Sequence, residues 1–248
     1  MAGHSKWKNI QHRKNAQDAK RGKVFMKLSK ELYVAARQGG GDPDTNPNLR
    51  LAMEKARDAN MPNDNIERAV KKATGDLDGV NYEEITYEGY GPGGVAVMVK
   101  LLTDNKNRSA SEIRHLFSKN NGNLGENGCV AFMFQRRGLL SIERQSPESD
   151  DDIMLEAIEA GAEDIVTEDD VYEVYTDPED YTDVKEKLAE SHILLTSEVT
   201  MVANTTTKLE NDEAIQVLRL IDALEDNDDV QEVYHNLEAD DEVYEQYS

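Results

Sequence analysis

The spacing of apolar residues changes once along this 248-residue chain, at Gly75, and the change divides it into two kinds of structure. Before Gly75 the apolar positions recur every three or four residues; after it, short strand-like runs alternate with helical ones. Over residues 15–38, Phe25, Leu28, Leu32 and Ala35 form one helical face. Gly39-Gly40-Gly41-Asp42-Pro43 ends that helix. Residues 48–59 carry a second, with Leu49, Ala52, Met53 and Ala56 on one side, and Asn60-Met61-Pro62-Asn63 breaks it. A third spans 63–75, with Glu67 supporting its first turn and Ile66, Ala69, Val70 and Ala73 facing inward. These helices predict one small domain, residues 1–75, which includes a polar arm over 1–14 that is flexible alone and ordered on binding.

Beyond a linker at Asp76-Leu77-Asp78-Gly79, strands are expected at 83–90, 95–102 and 130–134, with a helix at 109–118. Residues 139–203 then read strand–helix–strand–strand–helix–strand, a complete split βαβ unit. The stretch before it lacks one helix and one strand, and the stretch after it supplies them. The expected class is therefore α+β: an N-terminal three-helix domain plus two ferredoxin-like domains, one inserted in the other. The boundaries are 80–135 with 205–238 for the discontinuous domain, 139–203 for the inserted one, and a loose acidic tail over 239–248.

Charge follows the same division. Residues 1–38 hold ten Lys/Arg against two acids, while the whole chain is −22, so residues 39–248 carry −30. A basic segment on an acidic body is drawn onto that body unless another polyanion competes, and nucleic acid is the densest such competitor. Lys20, Lys23, Lys27 and Lys30 repeat at helical spacing, opposite the apolar face, as a ridge expected to face solvent. Trp7, the only tryptophan, stands between Lys6 and Lys8, followed by His12, Arg13 and Lys14. An aromatic ring among cations can stack on a base while its neighbours hold phosphates, or it can anchor the arm to the helical domain. The predicted nucleic-acid contacts are Lys6, Trp7, Lys8, His12, Arg13, Lys14, Lys20, Lys23 and Lys27.

Enzymatic patterns fail on inspection. Gly22-Lys23 lacks the upstream glycine and the following Ser/Thr of a phosphate loop. Asp42, Asp44 and Asn46 open like a calcium loop, but Pro47 and Met53 occupy the required Gly and Glu positions. Gly91-Pro92-Gly93-Gly94 reads as a hairpin turn. Ser111 and His115 have no orienting acid, the five histidines form no ligand pair, and Cys129 is the only cysteine, so the reading expects no catalytic residues, cofactor or metal. No apolar run reaches the ~18 residues of a membrane span, and no signal peptide opens the chain, so a cytoplasmic protein with no membrane partner is expected.

Gly3-His4-Ser5-Lys6-Trp7 with Lys14-Asn15-Ala16 closely resembles the opening of the YebC/PmpR family. So do Gly39-Gly40-Gly41-Asp42-Pro43, Asn60-Met61-Pro62, Tyr87-Glu88-Gly89-Tyr90-Gly91-Pro92-Gly93-Gly94, Asp104-Asn105-Lys106-Asn107-Arg108 and Glu126-Asn127-Gly128, in order over the full length. The resemblance implies three domains and no catalytic site. It implies either a DNA-binding transcriptional regulator or a factor that contacts ribosomal RNA and helps the ribosome past difficult sequences such as proline runs. The latter is the role of relatives that include the mitochondrial translational activator of cytochrome oxidase. A protein-interaction scaffold is a third class. The target, the direction of regulation and the oligomeric state are open at this level.

Overall fold

A computed structural model describes residues 21–75, 79–145 and 149–247, together with Gln11. Helices α1 (Arg21–Gly39), α2 (Pro47–Asp58) and α3 (Asn63–Gly75) pack around Leu28, Leu32, Leu49, Ala56 and Ile66. The glycine run between α1 and α2 closes a tight corner. Gly40 takes φ +90°, and its N–H returns to the Ala36 carbonyl at 2.9 Å, as a left-handed helix end requires. Asn46 then serves both helices. Its Oδ1 accepts the Leu49 N–H at 3.1 Å, capping α2, and its Nδ2 donates to the Ala35 and Gly40 carbonyls, each at 2.8 Å.

The second unit is a sheet ordered β3-β1-β2-β9. Strands β1 (Glu83–Tyr90) and β2 (Ala96–Thr103) form a hairpin through a 3₁₀ turn at Pro92–Gly94. Helix α4 (Lys106–Lys119) leads to β3 (Asn123–Leu124). Much later in the chain, α7 (Asn211–Glu225) leads to β9 (Val230–His235). Val97, Val99 and Leu101 alternate toward Ile113 and Phe117 of α4 and Val217 and Leu220 of α7, so one sheet face is covered by two helices. A short parallel pair, β8 (Thr207–Lys208) with β10 (Leu237–Glu238), borders this unit.

Between β3 and β9 in sequence lies a separate antiparallel sheet ordered β5-β6-β4-β7. Its strands are β4 (Phe134–Glu143), β5 (Asp164–Thr167), β6 (Val171–Thr176) and β7 (Leu194–Ala203). Helices α5 (Asp150–Ala160) and α6 (Tyr181–Ala189) pack on it through Ile153, Ala157, Val184 and Leu188. The protein is thus α+β, a three-helix unit with two ferredoxin-like units, one interrupting the other. The two sheets meet at a seam of Ala96, Met98, Val130, Phe134, Ala203 and Tyr234.

Two expectations are corrected. The run at 130–134 is not a strand. Ala131–Met133 is a 3₁₀ turn, because the Glu88 carboxylate accepts the N–H groups of Gly128, Val130 and Ala131 at 2.8 Å each and so removes them from any ladder. The third strand is the two-residue β3, which pairs with β1 at Gly89 and Tyr90. The end of the chain is not loose. Asp241–Tyr247 forms α8, which buries Val243 and Tyr244 against α7 while the Tyr247 hydroxyl donates to Asp222 at 2.8 Å. Apolar residues at helical spacing outweigh the local excess of acids.

Candidate nucleic-acid interface

Of the nine predicted contacts, Lys6, Trp7, Lys8, His12, Arg13, Lys14 and Lys20 lie outside the described residues. Lys23 and Lys27 lie on α1, in line with Lys30. This row does not face open solvent, as the helical wheel alone predicts; it is docked on the C-terminal end of α7. Lys23 Nζ donates to the Asp226 carbonyl at 2.8 Å and Oδ1 at 3.0 Å, and lies 3.8 Å from Asp228 Oδ1. Lys27 Nζ donates to the Glu225 carbonyl at 2.5 Å. Lys30 Nζ donates to the Asp228 carbonyl at 2.8 Å and Asp229 Oδ1 at 3.1 Å, and sits 5.5 Å from the centre of the Tyr82 ring.

The reason is electrostatic. A helix ends in unpaired carbonyls that carry the negative end of its dipole. In α7 this end runs straight into Glu225, Asp226, Asp228 and Asp229. Three cations at i, i+4 and i+7 match that surface. Burial pushes the Lys27 ammonium below its usual range despite the pull of Glu225, whereas Lys23 stays more than a third exposed.

Asp229 is the hub of this contact. Only 6% of it is exposed, and it accepts Thr103 Oγ1 at 3.1 Å, Ser109 Oγ at 2.9 Å and Arg108 Nη2 at 2.7 Å, besides Lys30. Burial acts to raise its pKa, but the bonds from Arg108, Lys30 and Ser109 outweigh it and hold the carboxyl below the usual range. The segment Asp104-Asn105-Lys106-Asn107-Arg108 thereby acquires a structural role: Asn105 caps α4 by accepting the Arg108 N–H at 3.1 Å, and Arg108 bridges Asp104 and Asp229.

A second ionic contact joins the same units. Lys55 of α2 lies 3.1 Å from Glu31 and 2.5 Å from Glu232 of β9, whose other oxygen accepts the Tyr234 hydroxyl. Desolvation opposes the charge on Glu232, yet Lys55 and Tyr234 outweigh it and draw the carboxyl down to about 2. Glu31, more affected by burial than by Lys55, moves upward. Beside Glu232, Gln231 is the extra residue of a β-bulge opposite Lys100 and Leu101; it is 8% exposed, and neither atom of its amide has a partner. These residues line a cleft of about 1030 Å³ bounded by α1, α2, β2, β7 and β9. The helical unit therefore keeps an apolar core of its own, apart from that of the β3-β1-β2-β9 sheet, and is joined to it by ion pairs and lysine–carbonyl bonds.

Sequence reasoning named two of the three docked lysines as contacts and missed the acceptor. The acidic run 225–229 was visible, but its place at a helix end beside α1 was not. Among the described residues, no helix is long and apolar enough to cross a membrane, and no group of His, Cys, Asp and Glu is arranged to hold a metal.

A basic helical unit held by charge against a two-sheet α/β body defines a modular α+β protein. Residues 5–76 match the TACO1/YebC protein N-terminal domain and residues 82–237 match the TACO1/YebC second and third domain, so the chain belongs to the TACO1/YebC family. It is 64% identical over 240 residues to a probable transcriptional regulatory protein of Geobacillus sp. (strain WCH70), covering 96% of this chain and 98% of that one. It is 59% identical over 238 residues to the probable transcriptional regulatory protein YrbC of Bacillus subtilis (strain 168), covering 95% and 99%. The crystal structure of a conserved hypothetical protein, Aq1575, from Aquifex aeolicus superposes with a TM-score of 0.78 at 46% identity, covering 91% of this chain and 93% of that one.

Proposed function

We propose that this protein is a non-enzymatic regulator of gene expression that binds nucleic acid through its basic N-terminal domain; the names of its relatives support the regulatory role. The observation that carries the reading is the lysine row of α1. Lys23, Lys27 and Lys30 are satisfied by carbonyl oxygens and carboxylates, a set of acceptors that phosphate oxygens can replace. Nucleic acid engages the basic segment ahead of α1 first, with Lys6, Trp7, Lys8, His12, Arg13, Lys14 and Lys20 as its contacts. It then competes with the α7 end for Lys23 and Lys27. Binding measured by fluorescence anisotropy at several salt concentrations tests this. With about six phosphate contacts, affinity falls on the order of 10³-fold between 50 and 200 mM salt. A flat salt response, or equal affinity after deletion of residues 1–20, rejects it.

A second reading is a ribosome-associated translation factor whose basic end contacts ribosomal RNA and which relieves stalling at sequences such as proline runs. The charge distribution favours it: a body of −30 is repelled by long duplex DNA but suits basic ribosomal proteins. Absence from ribosomal fractions in a sedimentation gradient rejects this reading and leaves the first.

A further inference from the structure

Helix α5 has apolar residues on two sides, and among the described residues only one of them is covered. Ile153, Ala157 and Ala160 face the sheet and are buried. On the outer side Leu155 is 58% exposed, Ile158 59% and Met154 38%, and Ile193, at the entry to β7, is 59% exposed. Four of the eight exposed large apolar residues among those described therefore fall on this one helix and the adjoining loop. The His192–Glu156 contact, at 2.5 Å, ties the loop that carries Ile193 to α5. The neighbouring helix α6 is an internal control: its outward residues include Thr182, Asp183, Glu186 and Lys187. A soluble helix with a second apolar stripe normally has something lying on it.

The rim of the patch selects the partner. Of the acids on α5, Asp150 is held by Arg144 and Glu156 by His192, while Asp151, Asp152 and Glu159 are exposed, and the helix carries no basic residue. A second copy of the same face would set these carboxylates against each other across a two-fold axis, which disfavours self-association. Four apolar side chains are also too few for the ~800 Å² per partner of a stable protein–protein interface, but they match the anchors of a short helix. We propose that the outer face of α5, with Ile193, docks a basic amphipathic helix of another protein, its apolar stripe on Leu155 and Ile158 and its Lys/Arg flanks on the carboxylates. This surface lies on the inserted unit and does not depend on the nucleic-acid reading.

The probe is a synthetic leucine–lysine amphipathic helix, labelled and titrated with the full chain. Leu155→Ser with Ile158→Ser leaves the net charge unchanged, so it separates docking from general attraction to an acidic protein. The expected result is loss of affinity by about tenfold or more, with Ile193→Ser giving a smaller loss and an unaltered melting temperature in both variants. Should the double substitution perturb folding, Ile193→Ser and crosspeak mapping onto α5 by NMR carry the test. Equal affinity of wild type and variants, or equal binding of a leucine–glutamate helix, overturns the proposal. So does a concentration-dependent dimer of the wild type that Leu155→Ser with Ile158→Ser abolishes, since the face then belongs to a second copy.

Discussion

The ammonium of Lys27 donates to the main-chain carbonyl of Glu225, 198 positions later in the chain, at 2.5 Å. With Lys23 and Lys30 on either side, it fastens the N-terminal helical unit to the C-terminal end of α7 by charge. An interface of this kind is reversible by design of its chemistry: its partly exposed members are screened by salt and contribute about 0–1 kcal/mol each.

Neutralising the acceptor side should therefore release the lysines. Asp226→Asn with Asp228→Asn removes two carboxylates near Lys23 without touching the hub at Asp229. Nucleic-acid affinity is expected to rise by about three- to tenfold at low salt, with the gain shrinking as salt increases. Anisotropy titrations of wild type and variant on one oligonucleotide check this; an unchanged or weakened affinity means the α7 end does not compete with phosphate.

The two kinds of substitution at Lys27 should part company. Lys27→Met keeps the aliphatic stem and removes a charge that burial already disfavours, so stability should change by less than about 1 kcal/mol. Lys27→Glu sets a carboxylate against Glu225, Asp226 and Asp228 and should cost about 3–5 kcal/mol at this contact, seen as separation of the helical unit in small-angle scattering. A solvent-facing ridge, which the sequence alone predicts, would tolerate both. Equal stability of the two variants restores that picture.

Helix α3 and strand β1 fall at 63–75 and 83–90, where the sequence placed them, because Pro62, Gly75 and Gly91-Pro92 punctuate the chain at those points. The lysine row was legible as a row, but its acceptor was not, since pairing across 198 residues is a tertiary fact. The run at 130–134 has the apolar content of a strand; what cancels it is the capture of three N–H groups by Glu88, more than forty positions upstream of two of them. The C-terminal helix was hidden by its charge, although Val243, Tyr244 and Tyr247 already had helical spacing. Of the proposed nucleic-acid contacts, only Lys23 and Lys27 lie among the described residues, so the site was legible as a charge pattern and not as a geometry.

The motif around Glu88 gives a prediction about stability alone. Burial acts to raise its pKa, but three N–H groups from Gly128, Val130 and Ala131 hold the carboxyl below its usual range. Glu88→Gln keeps one carbonyl oxygen and loses both the charge and one acceptor, at a cost of about 2–3 kcal/mol in urea unfolding. Gly89→Ala should also destabilise, since a Cβ there would lie 2.5 Å from the Asn123 carbonyl oxygen and 2.8 Å from the Phe117 ring. That clash costs about 1–3 kcal/mol by displacing β3. Wild-type stability in either variant contradicts the packing described.

Acid should loosen the helical unit at the Lys55 contact. The Glu232 carboxyl is drawn from 4.5 to about 2, so its stabilisation is fully present above pH 4.5 and lost as pH falls toward 2. The difference corresponds to about 3 kcal/mol, spread over that window. Glu31 moves in the opposite sense and in a higher window: its raised pKa means its ionised form is disfavoured in the fold, so acidification stabilises as pH falls through that raised value toward 4.5. Glu232→Gln should thus flatten the pH dependence of unfolding between 4.5 and 2, whereas Glu31→Gln should act above 4.5 and remove the gain in stability that acidification gives there. Parallel pH profiles for wild type and Glu232→Gln, followed by circular dichroism in denaturant, would show that Lys55 does not draw its stabilising charge from β9.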